Sequence, residues 1–163
     1  MKLEIERKFL LKSLPDREPK QIIKIDQWYW KNKRGIWERV RSWEIEGEET
    51  KWIHTIKRTV SKGVNFEDEK FITKEEYDLF TERCKLNGGE SRFISKERWV
   101  YPDGELYWEV DIFNNGHHLI IAEIEIPKKT YKIKIPDFIK DKLLIEVTGI
   151  KEFSNRNLSN KII

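Results

Sequence analysis

The sequence has 163 residues, the length of one domain that can bury a core without disulfide or metal staples. Its 32 lysines and arginines nearly balance 29 acidic residues, and the net charge of +3 argues against a protein that binds duplex nucleic acid. The single cysteine, Cys84, excludes a disulfide framework and a cysteine-based zinc site. No apolar run approaches the ~20 residues of a membrane span, and the N-terminus lacks an apolar signal segment. We therefore expect one cytoplasmic domain, residues 1–163, without membrane attachment.

Apolar and polar residues alternate with a period of two along most of the chain, as from Leu3 to Phe9, and this period predicts β-strands. Turn residues such as Asn32 to Gly35 and Pro102-Asp103-Gly104 separate the strands. The predicted strands cover residues 3–9, 22–31, 36–46, 51–60, 64–72, 91–101, 105–113 and 118–126.

Helical signals are few. Thr73 and Glu76 form a capping box that opens an amphipathic helix, and Gly88-Gly89 ends it. Short helical segments are expected near 136–144 and 153–160. The fold class is therefore mainly β with flanking helices (α+β). About eight strands in antiparallel hairpins form either a sandwich or a closed barrel, and the periodicity alone does not choose between them.

Like charges recur on one face of the same strand. At an effective dielectric constant of ~20, two like charges at the ~7 Å spacing of same-face neighbours repel by roughly 2 kcal/mol. A surface selected for solubility would mix the signs along each strand. The charged same-face groups are Glu4, Glu6 and Lys8; Arg39 and Arg41; Lys57; Glu67 and Glu69; Lys96 and Arg98; Glu109 and Asp111; and Glu123 and Glu125.

Two explanations fit this pattern. One is a sandwich whose charged face lies in water and carries cross-strand ion pairs. The other is a site for a ligand with both signs, such as a metal–polyphosphate complex. Carboxylates are the hard ligands that Mg²⁺ and Mn²⁺ prefer, and arginine and lysine bind phosphate oxygens. Closing the sheet into a barrel would turn the charged face inward and leave the apolar face to be covered by helices, which favours the barrel.

Glu4-Ile5-Glu6-Arg7-Lys8 matches the Glu-x-Glu-x-Lys strand of the CYTH superfamily, also called triphosphate tunnel metalloenzymes, and the whole chain resembles that family. Further motifs follow in the family's order. They are Gln27-Trp28-Tyr29, Arg39-Val40-Arg41, Thr55-Ile56-Lys57, Glu67-Asp68-Glu69, Lys96-Glu97-Arg98, Glu109-Val110-Asp111, Glu123-Ile124-Glu125 and the C-terminal Val147-Thr148-Gly149 with Phe153-Ser154-Asn155.

The resemblance implies an eight-stranded antiparallel closed tunnel that acts on a triphosphate with Mg²⁺ or Mn²⁺, two ions per site. It is strongest to the bacterial inorganic triphosphatases, which split inorganic triphosphate into diphosphate and phosphate. Alternatives are a class IV-type nucleotide cyclase, a nucleoside or thiamine triphosphatase, or a non-catalytic module that binds polyphosphate or RNA ends. Family members are often dimers, so the resemblance also allows a homodimer.

The resemblance assigns three sets of residues. Those expected to bind triphosphate oxygens are Lys8, Arg39, Arg41, Lys57, Lys96 and Arg98. Those expected to bind metal are Glu4, Glu6, Glu67, Glu69, Asp111, Glu123 and Glu125. The catalytic set is Lys8, Glu4, Glu6 and Tyr29, although Tyr29 could instead be an outward packing residue between Trp28 and Trp30.

Overall fold

The structure is a computed structural model that describes residues 2–87, 90–114 and 118–161. The first eight strands match the predicted strands to within two residues at either end. They are β1 (Lys2–Leu11), β2 (Gln21–Lys31), β3 (Trp37–Ile45), β4 (Lys51–Ser61), β5 (Val64–Ile72), β6 (Arg92–Asp103), β7 (Leu106–Phe113) and β8 (Ile120–Glu125).

The predicted capping box is present at the start of helix α1 (Lys74–Asn87). The backbone N–H of Glu76 donates to Thr73 Oγ1 at 3.1 Å, and the backbone N–H of Thr73 donates to Glu76 Oε1 at 3.2 Å. The predicted helix stop, Gly88-Gly89, lies outside the described residues. None of the helices in the described ranges is long and apolar enough to span a membrane.

The eight strands form a closed antiparallel barrel. The hydrogen-bonded order is β6-β2-β3-β4-β5-β1-β8-β7, and β7 pairs back onto β6 to close the ring. Every one of these strands therefore has a partner on both sides, which removes the open edges that a sandwich would keep. The strand periodicity left sandwich and barrel open, the charge pattern favoured the barrel, and the structure confirms the barrel.

The outer face of the barrel is apolar and carries the core. Phe9, Trp108 and Ile124 are buried in one cluster together with Ile139, which follows β8 in the chain. On another side of the barrel, α1 covers Val40 with Phe80 and Cys84. Because successive residues of a strand point to opposite faces, the charged residues between these apolar positions face the lumen.

The C-terminal region differs from the helical prediction. The segment predicted as a helix near 136–144 contains only one helical turn, α2 (Asp137–Lys140), followed by the strand β9 (Leu143–Glu146). β5 pairs with only Lys2–Ile5 of β1, so the edge of β1 at Phe9–Leu11 is free to pair with β9. Tertiary pairing therefore overrides the local helical signal.

The second predicted helical segment, near 153–160, is also shorter than expected. It consists of a 3-10 turn (Lys151–Phe153), the helix α3 (Asn155–Leu158) and the short strand β10 (Asn160–Lys161), which pairs with β6. Leu158 packs against lumen-facing apolar residues that include Ile94, Phe113 and Ile121. This segment fills one end of the lumen on the side of β2, β6, β7 and β8. We call that end the rear.

Candidate active site

The lumen contains two connected cavities. The front cavity, of about 350 Å³, opens at the end marked by Trp43 and Phe71. It brings together eleven of the predicted site residues, from six strands. They are Glu4, Glu6, Arg39, Arg41, Lys57, Glu67, Glu69, Lys96, Arg98, Glu123 and Glu125.

The rear cavity, of about 390 Å³, lies between the C-terminal segment Thr148–Asn157 and strands β1 to β5. Two further predicted residues, Lys8 and Tyr29, line this cavity. Tyr29 therefore faces the lumen, whereas Trp28 and Trp30 pack outside against α1. The outward alternative for Tyr29 is wrong. Glu6, Arg39, Lys57 and Asn155 line both cavities and join them into one tunnel.

Lys57 lies among three carboxylates. Its Nζ is 3.1 Å from Glu4 Oε1 and 3.9 Å from both Glu6 Oε1 and Glu67 Oε2. Burial opposes the charge, but Glu6 and Glu4 outweigh it and raise the pKa of Lys57, so the ammonium is charged. One cation is thus shared by three acidic groups from two strands, β1 and β5.

Lys8 holds a similar position farther along β1. Its Nζ is 3.3 Å from Glu123 Oε1 and donates to the carbonyl of Phe153 at 3.2 Å. Burial opposes the charge, but Glu123 and Glu6 outweigh it and raise the pKa of Lys8. The Phe153 contact ties this cation to the C-terminal segment.

Asp111 does not line either cavity. It lies behind two cations of the front cavity, with Oδ1 accepting from Arg98 Nε at 2.8 Å and Oδ2 accepting from Arg98 Nη2 at 3.0 Å and Lys96 Nζ at 2.8 Å. Although burial opposes ionisation, the charges of Arg98 and Lys96 hold the pKa of Asp111 far below its usual range. Both oxygens are therefore occupied by the cations that face the lumen.

The two arginines of β3 differ in their partners. Arg41 Nη2 donates to Glu69 Oε2 at 2.9 Å, and Thr55 Oγ1 donates to the same oxygen at 3.1 Å. Arg39 forms no ion pair with a carboxylate of the described residues. Burial opposes its charge, but Tyr29, Glu67 and Glu69 lie close enough to raise the pKa of its guanidinium. Burial instead lowers the pKa of Arg41 to about 9, so Arg41 is compensated less than Arg39.

Two carboxyl groups hold their protons unusually tightly. Burial, reinforced by Glu123, raises the pKa of Glu6 to about 7. Burial, reinforced by a hydrogen bond with Glu4, raises the pKa of Glu67 to about 8. The β1–β5 side of the lumen therefore carries more carboxylate than its lysines neutralise, and a divalent cation is a ligand that would relieve this excess.

The carboxylates do not form a ready-made metal site. Within residues 2–87, 90–114 and 118–161, no group of three or more Asp, Glu, His or Cys side chains is arranged to hold an ion by itself. The donor set still fits Mg²⁺ or Mn²⁺, because these ions commonly take one or two carboxylates and complete their coordination with water and substrate phosphate.

The sequence interpretation assigned no role to several lumen residues. Asn155 accepts from Lys96 Nζ at 2.9 Å, and Glu109 accepts from Arg98 Nη1 at 3.0 Å, and both line the front cavity. Arg156 lines the rear cavity. Glu109 shares the strand parity of Asp111 and could have been assigned with it. Asn155 and Arg156 begin the short helix α3, and no periodic pattern predicts where this helix packs.

No protein-family model matches the sequence, and no curated protein matches it. Solved structures do match. The inorganic triphosphatase NE1496 is 22% identical, with 98% of this chain and 95% of that chain covered and a TM-score of 0.58. HpAC1 from Hippeastrum, proposed to be an adenylyl cyclase and found to have a dominant triphosphatase activity, is 18% identical over 77% of this chain and 80% of that chain, with a TM-score of 0.55.

A protein from Bacillus halodurans, proposed to be an adenylate cyclase, is 16% identical over 79% of this chain and 84% of that chain, with a TM-score of 0.55. At these identities the likeness is one of fold. The chain therefore has the triphosphate tunnel (CYTH) fold that its sequence motifs predicted.

Proposed function

We propose that this protein hydrolyses inorganic triphosphate to diphosphate and phosphate, with Mg²⁺ or Mn²⁺ as cofactor. The observation that carries the proposal is the front cavity, where arginines and lysines alternate with carboxylates inside a closed barrel. A pure polyanion site gains nothing from buried carboxylates, since each is costly to desolvate. The triphosphatase activity named for two proteins of the same fold supports the proposal.

The cations of the lumen would bind the substrate. Arg41 and Arg98 present guanidinium groups, which match phosphate oxygens with two parallel donors. Lys96 is fixed by Asp111 and Asn155, so it reaches the lumen with little freedom to lose on binding. Asp111 acts in this proposal by positioning Arg98 and Lys96, rather than as the metal ligand expected from the resemblance.

The carboxylates would hold the cofactor. Glu4, Glu6 and Glu123 are the best placed, since all three line the front cavity next to Lys57 or Lys8. Glu67, Glu69 and Glu125 extend this set towards the front mouth. When bound, the divalent cation supplies charge neutralisation at the phosphate oxygens and acidity to the attacking water.

The chain's own residues then have two roles. The guanidinium and ammonium groups align the triphosphate along the tunnel, so that water can attack the terminal phosphorus in line with the departing diphosphate oxygen. Lys8, buried beside Glu123, places a positive charge near the reacting phosphoryl group. Catalysis rests on positioning and electrostatic stabilisation, and it needs no nucleophilic side chain.

One observation favours a second candidate, an organic triphosphate. At the front mouth the charged lining gives way to Trp43, Ile53 and Phe71, which take the next lumen-facing positions on three adjacent strands. Phe71 is 73% exposed, although aromatic side chains are normally buried. An aromatic group carried by a nucleotide could stack there. Chromatography of the products from ATP separates hydrolysis from cyclisation.

The test of the proposed function is phosphate release from inorganic triphosphate with Mg²⁺ or Mn²⁺. We expect metal-dependent release by the wild type and loss of it in Glu4→Ala. Glu75→Ala on the exposed side of α1 is the matched control and should retain activity. A folded wild type that binds triphosphate but releases no phosphate would identify a non-catalytic binding module instead.

A further inference from the structure

The two cavities of the tunnel differ in charge. In the front cavity, carboxylates and cations are present in near balance. The described residues that line the rear cavity include a single carboxylate, Glu6, whereas its cations are Lys8, Arg39, Lys57, Lys151 and Arg156. The tunnel is therefore polarised, with an excess of positive charge at the rear.

Arg156 is the cation that makes the rear cavity distinctive. Its guanidinium carbon lies 4.9 Å from the centre of the Trp37 ring, which holds the side chain in place. It forms no ion pair with a carboxylate in the described part of the chain. Burial, reinforced by the neighbouring Arg92, lowers the pKa of Arg156, although Tyr29 opposes the shift. A guanidinium is thus held at the cavity wall without a counter-ion.

Arg39 also forms no ion pair among the described residues, although the charges of Glu67 and Glu69 act on it. Its Nε atom is buried and has no hydrogen-bond partner among the residues that the structure describes. The Tyr29 hydroxyl lies close enough to act on the charges of both Arg39 and Arg156. Two guanidiniums that form no ion pair in the described part of the chain therefore line the rear cavity together with this hydroxyl and a single carboxylate.

We propose that the rear cavity binds a phosphate group between Arg39 and Arg156, in addition to the triphosphate of the front cavity. This inference rests on the proposed function of the tunnel. Paired guanidiniums offer forked N–H donors that match the oxygens of a phosphate dianion. In the front cavity the carboxylates offset the attraction of the cations for metal-free phosphate, whereas the excess of cations in the rear cavity attracts phosphate without a metal.

Two molecules can supply the phosphate group that the rear cavity binds. One is the orthophosphate released by hydrolysis, which would occupy the rear cavity before it leaves. The other is a fourth phosphoryl unit of a longer linear polyphosphate, which would extend from the front cavity through the junction at Arg39 and Lys57. Each source places one tetrahedral phosphate beside Arg156.

The test is a titration of the full-length, metal-free protein with orthophosphate, followed by calorimetry or by ³¹P line width. We expect the wild type to bind and Arg156→Gln to weaken binding by at least about 10-fold, the effect of losing a charge-assisted hydrogen-bonding partner. Arg156→Lys keeps the positive charge but loses the paired N–H donors, so its affinity for orthophosphate should lie between those of the wild type and Arg156→Gln. Arg83→Gln, on the exposed side of α1, is the control and should bind as the wild type.

Equal binding by folded Arg156→Gln and wild type, or no binding by the wild type in the millimolar range, would overturn the proposal. Kinetics separate the two sources. If orthophosphate inhibits the wild type and Arg156→Gln relieves this inhibition, the ligand of the rear cavity is the released product. If the wild type has a lower KM for tetraphosphate than for triphosphate and Arg156→Gln loses this difference, the ligand of the rear cavity is the fourth phosphoryl unit of a longer chain. The titration needs no turnover, so it tests phosphate binding independently of catalysis. A protein without triphosphatase activity would disprove the proposed function, and the titration would still decide whether the rear cavity binds phosphate.

Discussion

The carboxyl groups of Glu4 and Glu67, on the paired strands β1 and β5, share a hydrogen bond across the lumen wall. Burial opposes ionisation of Glu4, but the hydrogen bond from Glu67 and the charge of Lys57 hold the pKa of Glu4 at about 2. The pKa of Glu67 is raised to about 8, so Glu67 is the proton donor of the pair at neutral pH.

This relationship predicts how stability depends on pH. Glu6 and Glu67 have pKa values raised to about 7 and about 8 by burial and by neighbouring carboxyl groups. A carboxyl group with a raised pKa binds its proton more tightly in the folded than in the unfolded state. The free energy of unfolding therefore falls as the pH rises from the ordinary pKa of the group to its raised pKa. We expect the metal-free protein to lose on the order of 2–4 kcal/mol between pH 5 and pH 8.

Urea denaturation at a series of pH values with a chelator present measures this loss. Glu67→Gln should flatten the dependence, because the neutral amide replaces the protonated carboxyl. Addition of Mg²⁺ should stabilise the protein more at pH 8 than at pH 5, where protons compete for the same oxygens. A stability that rises across this pH range in the metal-free wild type would contradict the assignment.

Asp111→Asn should be severely destabilising. The substitution removes the charge that compensates Lys96 and Arg98, both of which are buried. Breaking a buried ion pair by removing one partner typically costs about 3–5 kcal/mol. Asp78→Asn provides the control, since Asp78 pairs with Lys74 on the exposed face of α1, where solvent screens the pair. This substitution should leave the stability nearly unchanged. Chemical denaturation measures both, and equal effects would disprove a structural role for Asp111.

Gly63→Ala should cost more than Gly47→Ala, although both glycines adopt a positive φ, of 73° and 81°. An added Cβ at Gly63 would lie 2.6 Å from the backbone oxygen of Glu6 and 2.9 Å from Thr148 Cγ2, whereas at Gly47 it would meet nothing within 4 Å. We expect Gly47→Ala to cost about 1 kcal/mol and Gly63→Ala at least about 1 kcal/mol more.

The Gly63 variant should also lower activity, because the carbonyl of Gly63 accepts the backbone N–H of Glu6 at 2.9 Å. A shift of this turn moves a proposed metal ligand. Thermal unfolding and phosphate release from the two variants test the prediction. A Gly63→Ala protein as stable as Gly47→Ala would show that the turn can relax without cost.

Tyr29→Phe should lower kcat/KM by about 10-fold while leaving the fold intact. The hydroxyl accepts from Gln27 Nε2 at 3.1 Å and lies close enough to act on the charge of Arg39, so its removal changes the surroundings of a substrate-binding guanidinium. Tyr107→Phe, at a position 48% exposed on β7, is the control and should behave as the wild type. Steady-state kinetics with inorganic triphosphate compares the two, and an unchanged Tyr29→Phe enzyme would exclude a role for the hydroxyl.

Much of the fold and of the candidate site could be predicted from the sequence alone. The period of two located all eight barrel strands, because alternation depends only on which residues face the core and which face the other side. The pairs of like charges, such as Arg39 with Arg41, indicated an inward charged face for the same reason. The C-terminal strand β9 could not be predicted, since it forms only because the edge of β1 at Phe9–Leu11 is free.

The sequence by itself thus determined the strands, their lumen-facing residues and the mixture of cations and carboxylates in the tunnel. Only the tertiary structure decided which of these charged side chains contact each other. It paired Asp111 with Lys96 and Arg98, turned Tyr29 towards Arg39, and brought Arg156 to the rear cavity. The physical reason is that a side chain's face follows from local periodicity, whereas its partners, its desolvation and hence its pKa depend on strands that are distant in the chain and adjacent in the barrel.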